Sequence, residues 1–170
     1  MNTNVSEMLN HQIRKELYSA YLYLHFSNLL AEDGLPGFSH WFHIQAKEEL
    51  EHAMMFVNYL QSNGGQVCYE SIPKPETGKL TLSDIVSAAL AHEQSITESI
   101  DQIYDAAETQ KDYRTRLFLD WFVREQGEEE ENAKVLVQKV EMLGGSPKGR
   151  YLLDQELGRR VYHPHGVSEG

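Results

Sequence analysis

The 170-residue sequence has one cysteine, Cys68, five prolines, and no apolar run approaching the ~18 residues of a membrane span. A single cysteine excludes an internal disulfide framework and a cysteine-rich zinc module, and suits a reducing compartment. Positive charge is also scarce: 15 Lys and Arg stand against 26 Asp and Glu, a formal net charge of −11 with the eight histidines neutral. Nucleic acid and anionic membrane surfaces repel a polyanion, so neither is an expected partner, whereas cations are compatible ligands. Residues 1–15 carry Glu7, Arg14 and Lys15 with no basic stretch ahead of an apolar block. No secretory signal is expected, and the expected location is the cytoplasm. With 41% hydrophobic and 24% charged residues, the chain reads as one globular domain.

Helix signals run along almost all of it. A first helix is expected from Val5 to about Ala31, before Asp33-Gly34-Leu35-Pro36-Gly37 breaks it. A second is expected from Phe38 to Ser62, stopping at Asn63-Gly64-Gly65. The third starts at Thr81, where Thr81 and Asp84 have capping-box spacing, and lasts to about Thr109. Asp112 is the expected N-cap of the fourth, which ends at Gly144-Gly145. Ser146-Pro147 has the form of an N-cap and an N1 proline opening a short fifth helix to Leu157. From Gly158 onward the tail reads as loosely held. The first and third connections are short, so they join antiparallel neighbours. The middle link, Gly64 to Leu80, is long enough to run the height of a bundle. The expected fold is all-α: two helical hairpins joined by one long crossover.

Inward rows at three-four spacing carry the functional information. They read Ile13, Glu16, Ala20, Tyr23, Ser27 on the first helix and Phe38, Phe42, Gln45, Glu49, His52, Phe56, Tyr59 on the second. The third gives Ile85, Ala89, Glu93, Ile96, Ile100, Ile103, Ala107, and the fourth Leu119, Phe122, Gln126, Glu129, Ala133, Leu136, Val140, Leu143. Each row carries an acid near mid-helix. Glu16 and His52 are equidistant from residue 34, in the first turn, and Glu93 and Glu129 from residue 111, in the second. Both hairpins therefore hold acids roughly 25 Å from their turns. Spacing alone does not fix how the hairpins dock.

If the two levels coincide, Glu16, Glu49, Glu93 and Glu129 converge in a low-dielectric interior with His52 and Gln126. Uncompensated carboxylates are untenable there, and no Lys or Arg lies on the inward rows. Metal cations resolve the conflict: several carboxylates with one imidazole suit iron, manganese or zinc, and shared carboxylates describe a dinuclear site. Glu49 and His52, at i and i+3, face the same side. One inward glutamate is ordinarily just a hydrogen-bonded residue. Four at matched depth are not. Tyr23, Trp41 and Trp121 read as packing, and His11, His25, His40, His43 and His92 as surface or boundary residues. His163 and His165 belong to the tail, while Glu128 to Glu131 read as a solvated face that must also turn some acid inward.

At this point the motifs are specific. Lys15-Glu16-Leu17-Tyr18-Ser19-Ala20-Tyr21, Glu48-Glu49-Leu50-Glu51-His52, Glu93 and Glu125-Gln126-Gly127-Glu128-Glu129-Glu130 resemble the bacterial non-haem ferritins, and Gly149 to Leu157 resembles that family's short fifth helix. The resemblance covers residues 5 to 158. It implies a ferritin-like di-iron domain over 1–158 with a loosely ordered tail over 159–170. It also implies a ferroxidase centre within each subunit. By position, Glu16, Glu49 and His52 would hold the first iron, with Glu49 bridging; Glu93 and Glu129 would complete the second, with Gln126 beside it. Glu48, Glu125, Glu128 and Glu129 match a third, weaker iron site, and Tyr23 falls on a tyrosine placed to give up one electron, with Trp121 as a further candidate. The implied substrates are Fe(II) with O2 or H2O2, and the implied assembly is a hollow homo-oligomeric shell, a 24-mer, storing ferric mineral.

Two departures from neighbouring families refine this. Gln126-x-x-Glu129 replaces the second Glu-x-x-His of the generic di-iron pattern. Leu50 stands where bacterioferritins place a haem-binding methionine, so no haem is expected. One cysteine also excludes a rubredoxin-like appendage. The competing readings are a non-storing di-iron oxidase or peroxide-scavenging bundle protein, and a purely structural bundle.

Overall fold

A computed structural model describes residues 3–76 and 78–164 as five α-helices: α1 (Thr3–Glu32), α2 (Pro36–Ser62), α3 (Leu82–Thr109), α4 (Tyr113–Leu143) and α5 (Pro147–Leu157). The elements start where local chemistry supplies caps. Thr81 Oγ1 accepts from the Asp84 N–H at 3.2 Å while the Asp84 carboxylate accepts from the Thr81 N–H at 2.8 Å, a complete capping box. Asp112 and Ser146 cap α4 and α5 by accepting from Thr115 N–H and Gly149 N–H. Among the described residues there is no strand, and no helix is long and apolar enough to cross a membrane.

The helices stop as sharply as they start. Gly34, with φ of +75°, lets Leu35 N–H reach back to Leu30 C=O at 2.9 Å and Gly34 N–H to Ala31 C=O at 3.1 Å. This paired closure satisfies carbonyls at the end of α1 and sends the chain straight into α2. The α3–α4 turn uses the same closure with Lys111 at φ 56° in the left-handed position.

α1 packs along α2, and α3 along α4; α1 also meets α3, joining the two hairpins. Leu80 and Leu82, at the start of α3, pack in the same cluster as Leu30 and Phe38 from the α1–α2 turn. Leu60, near the end of α2, lies in the other cluster with Val5 and Ile100. The crossover therefore climbs the full height of the bundle and α3 runs parallel to α2. Asn10 fastens it to α1, donating to Gln66 C=O at 2.9 Å and accepting from Cys68 N–H at 2.7 Å.

The inward rows are buried nearly as spacing predicts. Two exceptions lie at helix ends: Tyr59 is half-buried with its hydroxyl on Thr115, and Leu143 is exposed because α4 stops there. The apolar core is split into two clusters, one near the α1–α2 turn and one at the opposite end. A polar layer separates them.

Candidate metal centre

That layer contains Glu16, Glu49, His52, Glu93, Gln126 and Glu129, none more than 4% exposed. Each stands on an inward row, so the helical period that builds the core also delivers these groups to its middle. One donor atom from each of Glu16, Glu49 and His52 lies within 4.8 Å of the others, close enough to share a cation. His52 Nδ1 sits 3.4 Å from Glu49 Oε2, and the imidazole is held edge-on to Trp121 and Phe122 at centroid distances of 5.5 and 5.8 Å. Glu16 Oε2 and Glu49 Oε1 are buried without a hydrogen-bond donor. A cation is the natural partner for such oxygens.

The second hairpin closes the layer. Glu93 accepts from the Tyr23 hydroxyl, and its Oε2 accepts from Gln126 Nε2 at 3.2 Å. Gln45 Nε2 donates to Glu129 Oε2 at 2.8 Å, tying α2 to α4 at this level. The two hairpins thus dock in register. All four acids, Glu16, Glu49, Glu93 and Glu129, share one interior layer.

Electrostatics record the strain of that convergence. Burial pushes Glu16 well above the usual carboxylate range and Glu49 adds to it, while His52 and the bond from Gln12 pull back. Glu49 is also pushed well up, first by burial and then by Glu93 and Glu129. Burial and Glu129 raise Glu93 to about 8, against bonds from Tyr23 and Gln126 that lower it. Tyr23 is raised well above its ordinary value by burial and by Glu93, so its phenol stays protonated and donating.

Other residues singled out by sequence lie elsewhere. Glu48 is buried but pairs with Arg160 at 2.6 Å; Glu125 is half-buried and Glu128 exposed. Leu50 is half-exposed. His11, His40, His43 and His163 are exposed, and His165 lies outside the described residues. His92 is half-buried, its Nε2 2.7 Å from Ser19 Oγ and its ring edge-on to Tyr23. The described part of the tail lies against α2. Arg160 stacks on Trp41, His40 bonds the Arg160 carbonyl at 2.9 Å, and Tyr162 donates to Glu51. No sequence signal marks Arg160, because its partner is 112 residues away. Gln12 lies beside the inward row rather than on it, and its spacing of four from Glu16 on a buried face is its readable sign.

A ferritin-like bundle built around a buried carboxylate–histidine centre is the class this fold and layer define. Comparison with known proteins agrees: the family model described as the ferritin-like domain matches residues 6–150. A bacterial non-heme ferritin of Campylobacter jejuni is 37% identical over 157 residues, covering 92% of this chain and 94% of the relative. One from Bacteroides fragilis is 33% identical over 160 residues, covering 94% and 99%. Among solved structures, an open-pore ferritin of Archaeoglobus fulgidus superposes with a TM-score of 0.93 at 35% identity, covering 95% of this chain and 99% of that one. The chain belongs to the ferritin family.

Proposed function

We propose that this protein is a ferroxidase and an iron store: it oxidises Fe(II) at the buried centre with O2 or H2O2 and retains the ferric product as mineral. The observation that carries this reading is the trio Glu16, Glu49 and His52, with donor atoms within 4.8 Å in the polar layer between two apolar clusters. Family membership supports it, as do curated relatives named bacterial non-heme ferritins.

In this reading Glu16, Glu49 and His52 hold one Fe(II), Glu49 reaches a second, and Glu93 and Glu129 complete that second position with Gln126 beside it. Carboxylate oxygens stabilise Fe(III) more than Fe(II), which favours electron loss. Two Fe(II) give one electron each to O2, which takes up two protons and leaves as H2O2; with H2O2 as oxidant, the same two electrons and two protons yield two waters. Tyr23, hydrogen-bonded to Glu93, is the candidate donor of a further electron to the oxidant, its phenolic proton leaving with it. A donor set with a single imidazole holds the ferric product loosely enough to release it. Glu48, Glu125 and Glu128, with Glu129, would offer a weaker third position, for which Glu48 has to release Arg160.

The working unit is residues 1–158, with 159–170 as a tail outside it. It assembles as a homo-oligomeric shell, a 24-mer, without haem, nucleic acid or membrane, in the cytoplasm. Adding Fe(II) in air to the native chain and to a Glu49→Ala/His52→Ala variant tests the centre. The reading expects the initial oxidation rate to fall at least about tenfold in the variant; equal rates contradict it. Sizing of the iron-loaded protein tests the shell: a large particle with a mineral core is expected, and a dimer without one favours a non-storing oxidase.

A further inference from the structure

A line of polar groups outside the centre, running from half-buried Lys15 inward, ends on one of its carboxylates. Lys15 Nζ donates to Ser99 Oγ at 2.8 Å, Ser99 Oγ donates to Gln12 Oε1 at 2.6 Å, and Gln12 Nε2 donates to Glu16 Oε1 at 2.8 Å. Gln12 is fully buried and Ser99 nearly so. The line crosses from α1 to α3 and back, so it is tertiary rather than a local turn of helix.

Its two ends fix its direction. An ammonium only donates, and Glu16 only accepts once a bound cation holds it ionised. Ser99 Oγ, accepting from Lys15, gives its own hydrogen to the Gln12 carbonyl. The amide then has one orientation left, with its N–H toward Glu16. Reversing it would set Gln12 Oε1 against a carboxylate oxygen and leave the Ser99 hydroxyl facing an N–H. Glu16 Oε1 is thereby occupied from behind, and Oε2, which has no donor, is the oxygen left for the centre.

We infer that Gln12 is a positioning residue for the metal centre, and that the Lys15–Ser99 pair on the far side of its amide sets which oxygen of Glu16 is offered to the cation. This rests on the proposed reading of the centre. Lys15 and Ser99 touch none of the six groups of the polar layer in the bonds that define the line; they act through the amide. The line explains a fully buried glutamine beside a buried glutamate, which neither packing nor helix propensity requires. Fixing a metal ligand through the hydrogen bond on its other atom is a general device, and its loss typically weakens metal binding about 10- to 100-fold.

Co(II) is the probe, because its visible absorption reports ligand geometry without oxidation. The native chain, Ser99→Ala and Ser99→Thr are titrated with Co(II), with circular dichroism confirming that each is folded. Ser99→Ala frees the amide to turn, and is expected to weaken Co(II) binding about tenfold and alter the absorption envelope. Ser99→Thr keeps the hydroxyl and is expected to restore both. Ser99→Ala binding as the native chain does, or Ser99→Thr proving no better than Ser99→Ala, overturns the inference. A native chain whose Co(II) uptake matches Glu49→Ala/His52→Ala overturns the centre itself, and the inference with it.

Discussion

Asp154 of α5 caps α2: its Oδ1 accepts from the backbone N–H groups of Gly37 at 2.7 Å and Phe38 at 3.0 Å. The residue before α2, Leu35, has no side chain able to cap, so the buried Asp154 carboxylate, 117 residues beyond Gly37, supplies the missing acceptor. A negative charge at a helix N-terminus is favoured there by the dipole as well as by the hydrogen bonds. The short fifth helix is therefore a fastening for the helix that carries Glu49 and His52.

Asp154→Ala is expected to cost about 2 kcal/mol, since it strands two buried N–H groups. Gly37→Ala is expected to cost more, because a Cβ there would stand 1.7 Å from the Asp154 carbonyl oxygen. Thermal unfolding followed by circular dichroism measures both, with the midpoint falling further in Gly37→Ala.

The clustered acids predict an unusual pH dependence for the metal-free protein. Glu16, Glu49 and Glu93 bind protons more tightly folded than unfolded, and Glu93 does so up to about 8. Stability from these groups is fully present below the unfolded carboxylate range and is lost as pH rises toward 8, because the native state then binds more protons than the unfolded one. His92 works in the opposite sense: burial and Lys15 pull it down to about 4, so its contribution is lost as pH falls from 6.5 toward 4. The clean window is pH 6.5 to 8. In chelator-treated protein the melting temperature is expected to decline across it, and a flat or rising profile contradicts the buried cluster.

Divalent metal should reverse that loss. A cation bound only by the folded state adds RT ln(1 + [L]/Kd), about 2.7 kcal/mol at a hundredfold excess over Kd. Melting with and without Fe(II) under anaerobic conditions is expected to show a clear upward shift in the native chain. The shift should shrink in Glu49→Ala/His52→Ala, which removes two of the three clustered ligands.

Tyr23→Phe separates binding from oxidation. The change removes one of two side-chain donors to Glu93 but no ligand of the proposed centre. Metal stoichiometry by Co(II) titration is expected to stay as in the native chain, while Fe(II) oxidation in air slows about tenfold. A variant that loses a bound metal would instead make Tyr23 necessary to build the second position.

Much of this molecule was legible in the order of its residues. The helix starts follow from Thr81, Asp112 and Ser146, whose side chains cap locally and so act on neighbours in sequence. The placement of Glu16, Glu49, Glu93 and Glu129 in the core follows from the 3.6-residue period, which needs no tertiary information. Registration of one hairpin on the other was not legible. It is set by contacts such as Gln45 to Glu129 and Tyr23 to Glu93, which join residues 84 and 70 apart. Gln12 is hard to read because a row begun at Ile13 passes beside it, and Arg160 because nothing around it predicts a salt bridge to Glu48.

A crystal soaked with Fe(II) without oxygen tests the account most directly, since it reads ligands and stoichiometry together. Two iron ions per chain are predicted, one held by Glu16, Glu49 and His52 and the other by Glu49, Glu93 and Glu129. Iron absent from this layer, with the four glutamates neutral and bonded only to one another and to Gln12, Gln45, Gln126 and Tyr23, would contradict it.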